Sequence, residues 1–538
     1  MLRPTTGQRL CKQIRRVHAQ SYAESVPAVD GFSVLNPANG QVLRSFKPIS
    51  ANDINAAIED AQKTFNSGIW SKAPAITRSK VLTRLARILE ERVPAIAQLE
   101  SLQTGRTIRE MNAQLGRLPD WLDYYAALLR TRQDFIAPTQ GKLMNYVQRV
   151  PLGVVAQITP FNHPLLIAIK KIAPALAAGN SIIVKPSEQA PLTVLEFATM
   201  ALEAGLPPGV VSVIPGFGHT VGKAIVSNPL IRKVDVTAGT ETGRALGSIV
   251  GSNLAAYTAE LGGKAPIVVF DDADLESAVN GAAFASFVAS GQTCVSGTRL
   301  IVANPIYDTF LDKFLTKVRS IRARMGNPMN PKSTMGSVIS LRELERIEAM
   351  VERTHGRIIE GGKRMSGFSD LDGFDFSGGS FFPPTVITDI SVEDELWQEE
   401  VFGPVVVVKR FTVSPCALLS SVLAFDSDML KDEAEGVALA NASKYGLGAG
   451  IWTTDLSRGH RVAADIEAGL CWVNTHHRND PSSPWGGMKE SGIGRENGLE
   501  AFEAYTQSKS TIVNLASSEE TRIADDWFAE GNGDRRYG

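Results

Sequence analysis

The chain has 538 residues, of which 43% are hydrophobic and 21% are charged. This ordinary globular composition allows about two or three domains with substantial cores and excludes a small disulfide-stapled scaffold. The net charge is -2, from 55 Lys and Arg against 57 Asp and Glu, so the charge balance disfavours nucleic acids and anionic membranes as partners and favours a small molecule.

The four cysteines lie far apart, and no two of them form a C-x-x-C motif. They are Cys11, Cys294, Cys416 and Cys471. This spacing predicts neither a disulfide framework nor a metal site and is typical of a reducing compartment. No run approaches the roughly 20 consecutive apolar residues of a membrane-spanning helix. We therefore expect a soluble protein of the cytoplasm or the mitochondrial matrix.

Residues 1–30 form a basic segment of their own. Five Lys and Arg residues occur before the first acidic residue, Glu24. Such an Arg-rich start without acids resembles a mitochondrial transit peptide, and a disordered basic tail is the equally open alternative. We expect folded sequence to begin near Gly31.

Apolar residues between Arg78 and Gln98 recur mostly at three- and four-residue steps, which predicts an amphipathic helix. From Val154 onward, short apolar runs alternate with helical stretches such as 192–204. The runs are 154–158, 182–184, 210–214, 267–270, 300–302 and 405–408. This alternation predicts two α/β halves, each with a parallel sheet covered by helices.

Two segments, 142–150 and 510–515, alternate like strands and stand apart from both sets of apolar runs. An isolated strand leaves its backbone groups unpaired and is unstable alone. We therefore expect these strands to form an arm that pairs with another subunit.

The segment from Ser290 to Gly297 places Cys294 in a small, polar setting. A nucleophilic thiolate needs access, and the glycines in this segment allow a substrate or cofactor to approach closely. By itself, the pattern leaves open the alternative that Cys294 is an inert buried cysteine.

Polar residues also occur at predicted strand ends. Glu260 opens a Gly-Gly turn, where a turn carboxylate paired with Lys264 is the alternative to a functional role. Asn162 stands between two prolines, and an amide held rigidly there suits an oxyanion, although a turn asparagine is commoner.

The G-x-G-x-x-x-G string from Gly216 to Gly222 follows a strand and opens a helix, as dinucleotide sites do.

Together these segments resemble the aldehyde dehydrogenase superfamily, in its order and at its intervals, from about Gly31 to Leu515. Further matching strings are 185–188, 400–404 and 484–492. The resemblance implies an α/β fold with a Rossmann-type cofactor domain, an α/β catalytic domain and a small β oligomerisation arm. It assigns 31–130 and 151–262 to the NAD-binding domain, 131–150 and 505–516 to the arm, 263–490 to the catalytic domain and 517–538 to a tail.

The resemblance also implies the chemistry. Cys294 is the expected nucleophile toward an aldehyde, and Asn162 with the Cys294 backbone N–H forms the oxyanion hole of the thiohemiacetal. After hydride leaves, a thioester remains on Cys294. Glu260 is the expected general base that activates water to release a carboxylic acid. No metal is expected, and the partners implied are an aldehyde substrate and a second copy, as a homodimer or homotetramer.

For the cofactor, the resemblance places Lys185 and Glu188 at the adenosine ribose, Glu400 and Phe402 at the nicotinamide ribose, and Gly218 near the adenine. The remaining expected cofactor-binding residues are Gly222, Thr237, Thr240 and Gly262. Glu188 would repel a 2′-phosphate, so NAD is preferred, with NADP as the alternative.

Two departures from the family pattern stand out. Ala238 and Gly239 follow Thr237 where the family usually has Gly-Ser, so one hydroxyl near phosphate is absent, and helix N–H groups with Thr240 are expected to serve instead. The segment 412–434 is longer than its family equivalent. A surface loop and translated intron sequence are both open explanations for it.

Two other functions compete with this reading. A non-catalytic binding protein on the same fold is disfavoured by the retention of Cys294, Glu260 and Asn162. An acylating enzyme, in which coenzyme A takes the thioester, is disfavoured because a thiol acceptor needs no water-activating base. The substrate remains open, and the expected pocket wall comprises Trp121, Tyr125, Val295 and the polar loop 476–480.

Overall fold

The computed structural model describes residues 31–412, 427–524, 526–528 and 530. The predicted basic segment 1–30 and most of the predicted insertion 412–434 lie outside these residues. None of the described helices is long and apolar enough to cross a membrane.

The helices and strands follow in chain order. The first are β1 (Phe32–Leu35), β2 (Val42–Phe46), α1 (Ala51–Ser67), α2 (Ala75–Thr104), α3 (Ile108–Leu115), α4 (Pro119–Thr131), β3 (Phe135–Ala137) and β4 (Leu143–Pro151). Next are β5 (Val154–Ile158), α5 (Pro164–Ala178), β6 (Ser181–Lys185), α6 (Leu192–Glu203), β7 (Val211–Val213), α7 (Lys223–Ser227), β8 (Ile231–Thr237), α8 (Thr240–Ser252) and β9 (Ala256–Glu260).

The second half continues the same alternation. Its first elements are β10 (Ala265–Val269), α9 (Leu275–Phe287), β11 (Gly297–Ala303), α10 (Tyr307–Arg322), α11 (Leu341–Glu352), β12 (Arg357–Glu360), β13 (Thr385–Thr388), α12 (Glu395–Gln398) and β14 (Val405–Phe411). The rest are α13 (Ser427–Asn441), β15 (Tyr445–Gly446), β16 (Gly448–Trp452), α14 (Leu456–Asp465), β17 (Leu470–Val473), β18 (Met488–Lys489), β19 (Gly492–Ile493), α15 (Gly498–Ala504), β20 (Thr506–Asn514) and α16 (Ser518–Ala524).

A six-stranded sheet in the order β19-β9-β8-β5-β6-β7 forms the first half. Its five longer strands are parallel, and β19 adds an antiparallel edge. Successive side chains enter opposite cores: Ile182 and Val184 face the helices α2 to α6, whereas Ile183 packs with α1, α7 and α8. Burial on both faces explains why the strands are continuously apolar in sequence, and it confirms the predicted parallel sheet.

The second half is a seven-stranded sheet in the order β12-β13-β14-β11-β10-β16-β17. All of its neighbouring strands are parallel except β12 and β13. Here too the side chains alternate between two cores, as Ile301 packs with α11 and α14 while Leu300 and Val302 pack with α9 and α10. The prediction of a second α/β half is therefore confirmed.

The predicted helix around 78–98 is part of α2, which is longer at both ends. It begins after Pro74 and continues through Pro94 to Thr104. Gly105 then ends it with φ 74°, a left-handed conformation that glycine adopts without a Cβ clash. The apolar periodicity predicted the helix but not its ends, which are set by these flanking residues.

The two strand-like segments predicted to be isolated are paired with each other. β20 runs antiparallel to β4 over its whole length, from Thr506 opposite Pro151 to Asn514 opposite Leu143, and β3 lies on the other side of β4. These strands form a sheet apart from the two main sheets, as predicted, and each segment satisfies hydrogen bonds of the other; pairing with another subunit stays a prediction. β20 remains an edge strand, and Ile512 on it is 61% exposed.

We propose that the sheet β20-β4-β3 contacts a second copy of the chain. A chain that ends after Tyr505 loses β20 and leaves the edge of β4 unpaired, which we expect to cause dissociation or aggregation. A chain that ends after Ala516 retains β20 and is the matched control. Light scattering coupled to gel filtration measures both masses; an unchanged mass after the shorter truncation would refute the assignment.

Candidate active site

Residues predicted for catalysis and cofactor binding follow the strands of the first sheet. Glu260 ends β9, Lys185 ends β6 and Thr237 ends β8, while Asn162 lies four residues after the end of β5 at Ile158. Because the carboxyl ends of parallel strands meet at one edge of a sheet, these side chains share that edge.

Cys294 reaches this edge from the second half of the chain. It lies between α9 and the start of β11, and Gly263 connects it to the first sheet. A Cβ on Gly263 would overlap the carbonyl oxygen of Cys294, so only glycine permits this close approach. The turn that follows Glu260 is thereby packed against the predicted nucleophile.

The segment before Cys294 has an unusual backbone. Ala289, Ser290 and Gly291 have φ values of 54°, 54° and 71°, three successive left-handed residues. Such residues outside glycine are strained and persist only where the surroundings fix them. The Ser290 hydroxyl donates to the Gly336 carbonyl at 3.0 Å, and a Cβ on Gly291 would overlap the Gly403 carbonyl oxygen.

Asn162 is 5% exposed, and its side-chain Nδ2 donates to the carbonyl oxygen of Gln292 at 2.8 Å. Gln292 is two residues before Cys294 and is itself held by the Ile339 N–H, which donates to its side-chain Oε1 at 3.0 Å. An amide nitrogen carries two hydrogens, so one N–H of Asn162 remains for an oxyanion. The structure therefore brings Asn162 to residues 289–294, which end at the predicted nucleophile Cys294 and are called the nucleophile segment below.

Glu260 is 3% exposed, and neither carboxylate oxygen has a hydrogen-bond partner among the described residues. The alternative pairing with Lys264 is therefore absent. Gly486 lies against the carboxylate, since a Cβ built there would be 2.8 Å from Glu260 Oε1. Burial, followed by the nearby charge of Glu496, raises the pKa of Glu260 well above its usual value. Ionisation of Glu260 thus requires raised pH or a change in its surroundings.

Cys294 is partly buried. Burial raises the pKa of its thiol to about 12, with further contributions from the carboxylates of Glu400 and Glu260. Negative neighbours disfavour a thiolate, so at neutral pH the protein keeps Cys294 almost entirely as the thiol. Formation of a thiolate at Cys294 therefore needs a proton acceptor.

Glu400 and Phe402 adjoin the same turn. The Gly263 N–H donates to Glu400 Oε1 at 3.0 Å, and a Cβ built on Gly262 would lie 2.7 Å from Glu400 Oε2. Burial raises the pKa of Glu400 to about 7. Phe402 has a left-handed φ of 50°, and its ring meets that of Phe161 edge to face at 5.6 Å.

The other predicted cofactor residues line the edge further along. Lys185 Nζ lies 3.0 Å from Glu188 Oε2, and the buried Thr237 Oγ1 has no hydrogen-bond partner among the described residues. Thr240 begins the 13-residue helix α8, whose first N–H groups are free to bind an anion. A Cβ at Gly218 or at Gly222 would meet no atom within 4 Å. These unused donors and open positions suit a phosphate-bearing dinucleotide.

The residues expected in the pocket wall, Trp121, Tyr125 and Val295, are all buried. Trp121 and Tyr125 lie in the core beneath α15, where Trp121 Nε1 donates to Asn497 Oδ1 at 2.9 Å and the Tyr125 hydroxyl donates to the Gly498 carbonyl at 3.2 Å. Val295 is fully buried next to Cys294, and its carbonyl oxygen is hydrogen-bonded to His476 Nε2 at 2.7 Å. Within the described part of the chain, no cluster of His, Cys, Asp and Glu could hold a metal ion.

Sequence reasoning missed a buried charge network beside Glu260. Lys170 Nζ lies 2.7 Å from Glu496, and Lys171 contacts both Glu496, at 2.5 Å, and Asp235. Although burial acts in the opposite direction, the two lysines lower the pKa of Glu496 to about 2. The sequence did contain a sign of this network, because two adjacent lysines lie in the otherwise apolar helix α5. Buried lysines are costly unless they are paired, so their presence indicates acidic partners.

Known proteins share this architecture. The model of the aldehyde dehydrogenase family matches residues 24–511. A betaine aldehyde dehydrogenase from Staphylococcus aureus is 34% identical with a TM-score of 0.86, covering 96% of this chain and 98% of that chain. PnpE from Pseudomonas sp. WBC-3 is 38% identical, with a TM-score of 0.84 and coverage of 94% and 98%. The aldehyde dehydrogenase KauB from Pseudomonas aeruginosa is 33% identical, with a TM-score of 0.83 and coverage of 91% and 95%.

The raised pKa of the Cys294 thiol predicts how it reacts with iodoacetamide. Only the thiolate is alkylated, so the rate at Cys294 should rise about tenfold per pH unit between pH 7 and 10 without a plateau. Glu400→Gln removes the carboxylate that, after burial, raises the thiol pKa most, so it should raise the rate above pH 7, where Glu400 is ionised. Mass spectrometry of the Cys294 peptide measures the rate, and a plateau near neutral pH would contradict the electrostatics described above.

Proposed function

This chain belongs to the aldehyde dehydrogenase family, and we propose that it oxidises an aldehyde to a carboxylic acid through a thioester on Cys294, with hydrolysis assisted by Glu260. The observation that carries the proposal is the grouping of a thiol, an amide donor and an unpaired buried carboxylate around one turn. Asn162 supports it through its bond to the nucleophile segment, and Gly263 through its contact with Cys294.

The first step is attack of the Cys294 sulfur on the aldehyde carbon. The thiol gives its proton to solvent water, because Glu260, whose pKa is raised well above its usual value, still holds its own proton at this step. The new S–C bond converts the carbonyl oxygen into an alkoxide. The free N–H of Asn162 and the backbone N–H of Cys294 stabilise that charge.

Collapse of the alkoxide expels hydride from the same carbon and leaves a thioester on Cys294. A nicotinamide held at Glu400 and Phe402 would supply the acceptor for this hydride. Glu260, once deprotonated, then takes a proton from water as the water oxygen attacks the thioester carbon. The C–S bond breaks, the carboxylic acid is released, and Cys294 recovers its proton.

NAD is the proposed cofactor. The S. aureus betaine aldehyde dehydrogenase and PnpE were both determined in complexes with NAD. In this chain, Lys185, Glu188, Gly218, Gly222, Thr237 and Thr240 are proposed to bind the adenosine and phosphates, and Gly262, Glu400 and Phe402 the nicotinamide ribose. Glu188 retains a partly exposed carboxylate, with 32% of the side chain accessible, which favours ribose hydroxyls over a 2′-phosphate. NADP remains the alternative.

We also retain the predicted domain division as a proposal. It gives the cofactor domain 31–130 and 151–262, the catalytic domain 263–490 and the arm 131–150 and 505–516. The two main sheets support this division because each has helices on both faces, and the site lies where the turn after β9 meets Cys294. Transfer of the thioester to coenzyme A is the second candidate reaction, and the unpaired Glu260 favours water instead.

One assay tests the proposal. Wild-type protein is incubated with an aldehyde panel and NAD or NADP, with and without coenzyme A, while absorbance follows reduced nicotinamide and mass spectrometry identifies the product. We expect the free acid, a higher kcat/KM with NAD, and a loss of about 10³-fold or more in Cys294→Ser. No turnover with any aldehyde, or normal turnover of Cys294→Ser, would overturn the mechanism, and an acyl-coenzyme A product would identify the second candidate.

A further inference from the structure

Arg106 is a buried cation next to the strand end that carries Asn162. It is 2% exposed and precedes helix α3. Its Nη1 donates to the backbone carbonyl of Asn162 at 3.2 Å and to Gln114 Oε1 at 3.0 Å. The guanidinium therefore fixes the backbone of Asn162, while the side chain of Asn162 points to the nucleophile segment.

Glu110, one turn further along α3, contacts the nucleophile segment itself. Its Oε1 accepts a hydrogen bond from the backbone N–H of Ala289 at 2.8 Å. Its Oε2 faces Arg106 Nε at 3.5 Å, and the Glu110 side chain is only 17% exposed. The two residues form an ion pair that touches Asn162 at one end and the segment of Cys294 at the other.

The Ala289 N–H is a point where the segment needs outside support. Ala289 is the first of three left-handed residues, so its backbone belongs to neither α9 nor β11. Strained backbone of this kind is held by the contacts around it rather than by its own preference. Glu110, on helix α3, supplies such a contact to Ala289, which lies five residues before Cys294.

We propose that the Arg106–Glu110 pair positions Cys294 and Asn162 relative to each other, so that the sulfur and the oxyanion donor meet one carbonyl group. Neither residue touches the reacting atoms, so both are positioning residues. The inference rests on the proposed function, because it concerns the step in which the thiohemiacetal forms and hydride leaves. A small displacement of either group would slow that step.

Pre-steady-state mixing with NAD and an aldehyde tests the pair. Glu110→Ala removes the acceptor for the Ala289 N–H and should lower the burst rate of reduced nicotinamide about 10- to 100-fold. The dissociation constant for NAD should change little, whereas the melting temperature should fall, because Arg106 is left buried without its partner. Glu110→Gln keeps an oxygen in the same place and should restore most of the rate. Arg109→Ala, on the exposed face of α3, is the matched control.

A second variant and a second readout complete the test. Arg106→Lys keeps a positive charge beside Glu110 but lacks the guanidinium Nη1 that donates to the Asn162 carbonyl. Its burst rate should fall by about fivefold or more. Hydrogen exchange in the peptide containing Ala289 should speed up in Glu110→Ala and not in Arg109→Ala. This exchange readout does not depend on the reaction.

The outcomes are distinguishable. If wild-type protein gives no burst with any aldehyde, the proposed function fails. If wild type gives a burst and both Glu110→Ala and Arg106→Lys match Arg109→Ala in burst rate, the positioning role is refuted while the proposed function stands. If Glu110→Ala does not fold, Arg106→Lys alone decides by the same comparison with Arg109→Ala.

Discussion

The architecture of the site depends on one backbone contact in which no side chain is possible. Gly263 packs against the carbonyl oxygen of Cys294, and its N–H donates to Glu400 at 3.0 Å. Because the same turn begins at Glu260, this contact brings together the proposed base, the proposed nucleophile and Glu400, the carboxylate proposed for the nicotinamide ribose. Gly262 makes room for Glu400 in the same way. These two glycines thus allow the edges of the two sheets to pack closely against each other.

Around that contact, buried charges are distributed unequally. Glu496 has two lysine partners, Lys170 and Lys171, and its pKa falls to about 2. Glu260 has no such partner among the residues that the structure describes, and its pKa rises well above the usual value. A carboxylate buried without a partner costs several kcal/mol when charged, so Glu260 is the group that readily holds a proton. That difference fits Glu260, rather than Glu496, for the proposed role of taking a proton from water when the thioester is hydrolysed.

The sequence predicted the two sheets well, because a strand buried on both faces is continuously apolar, as in 154–158 and 182–184. It did not predict that 143–151 pairs with 506–514, since alternation identifies a strand and not its partner. The grouping of Cys294 with Asn162 came from family resemblance and not from periodicity. The buried charge pairs escaped prediction because a charged residue on a helix is normally assigned to solvent.

The central claim is that Glu260 acts mainly after hydride has left, when the thioester must be hydrolysed. Rapid mixing of Glu260→Gln with NAD and an aldehyde, followed by mass spectrometry of the quenched protein, tests it most directly. The account predicts a burst of about one reduced nicotinamide per site, slow turnover afterwards and an acyl group on the Cys294 peptide, released by added hydroxylamine. Absence of the burst would mean that Glu260 is already required to deprotonate Cys294, and full steady-state turnover would remove Glu260 from the mechanism.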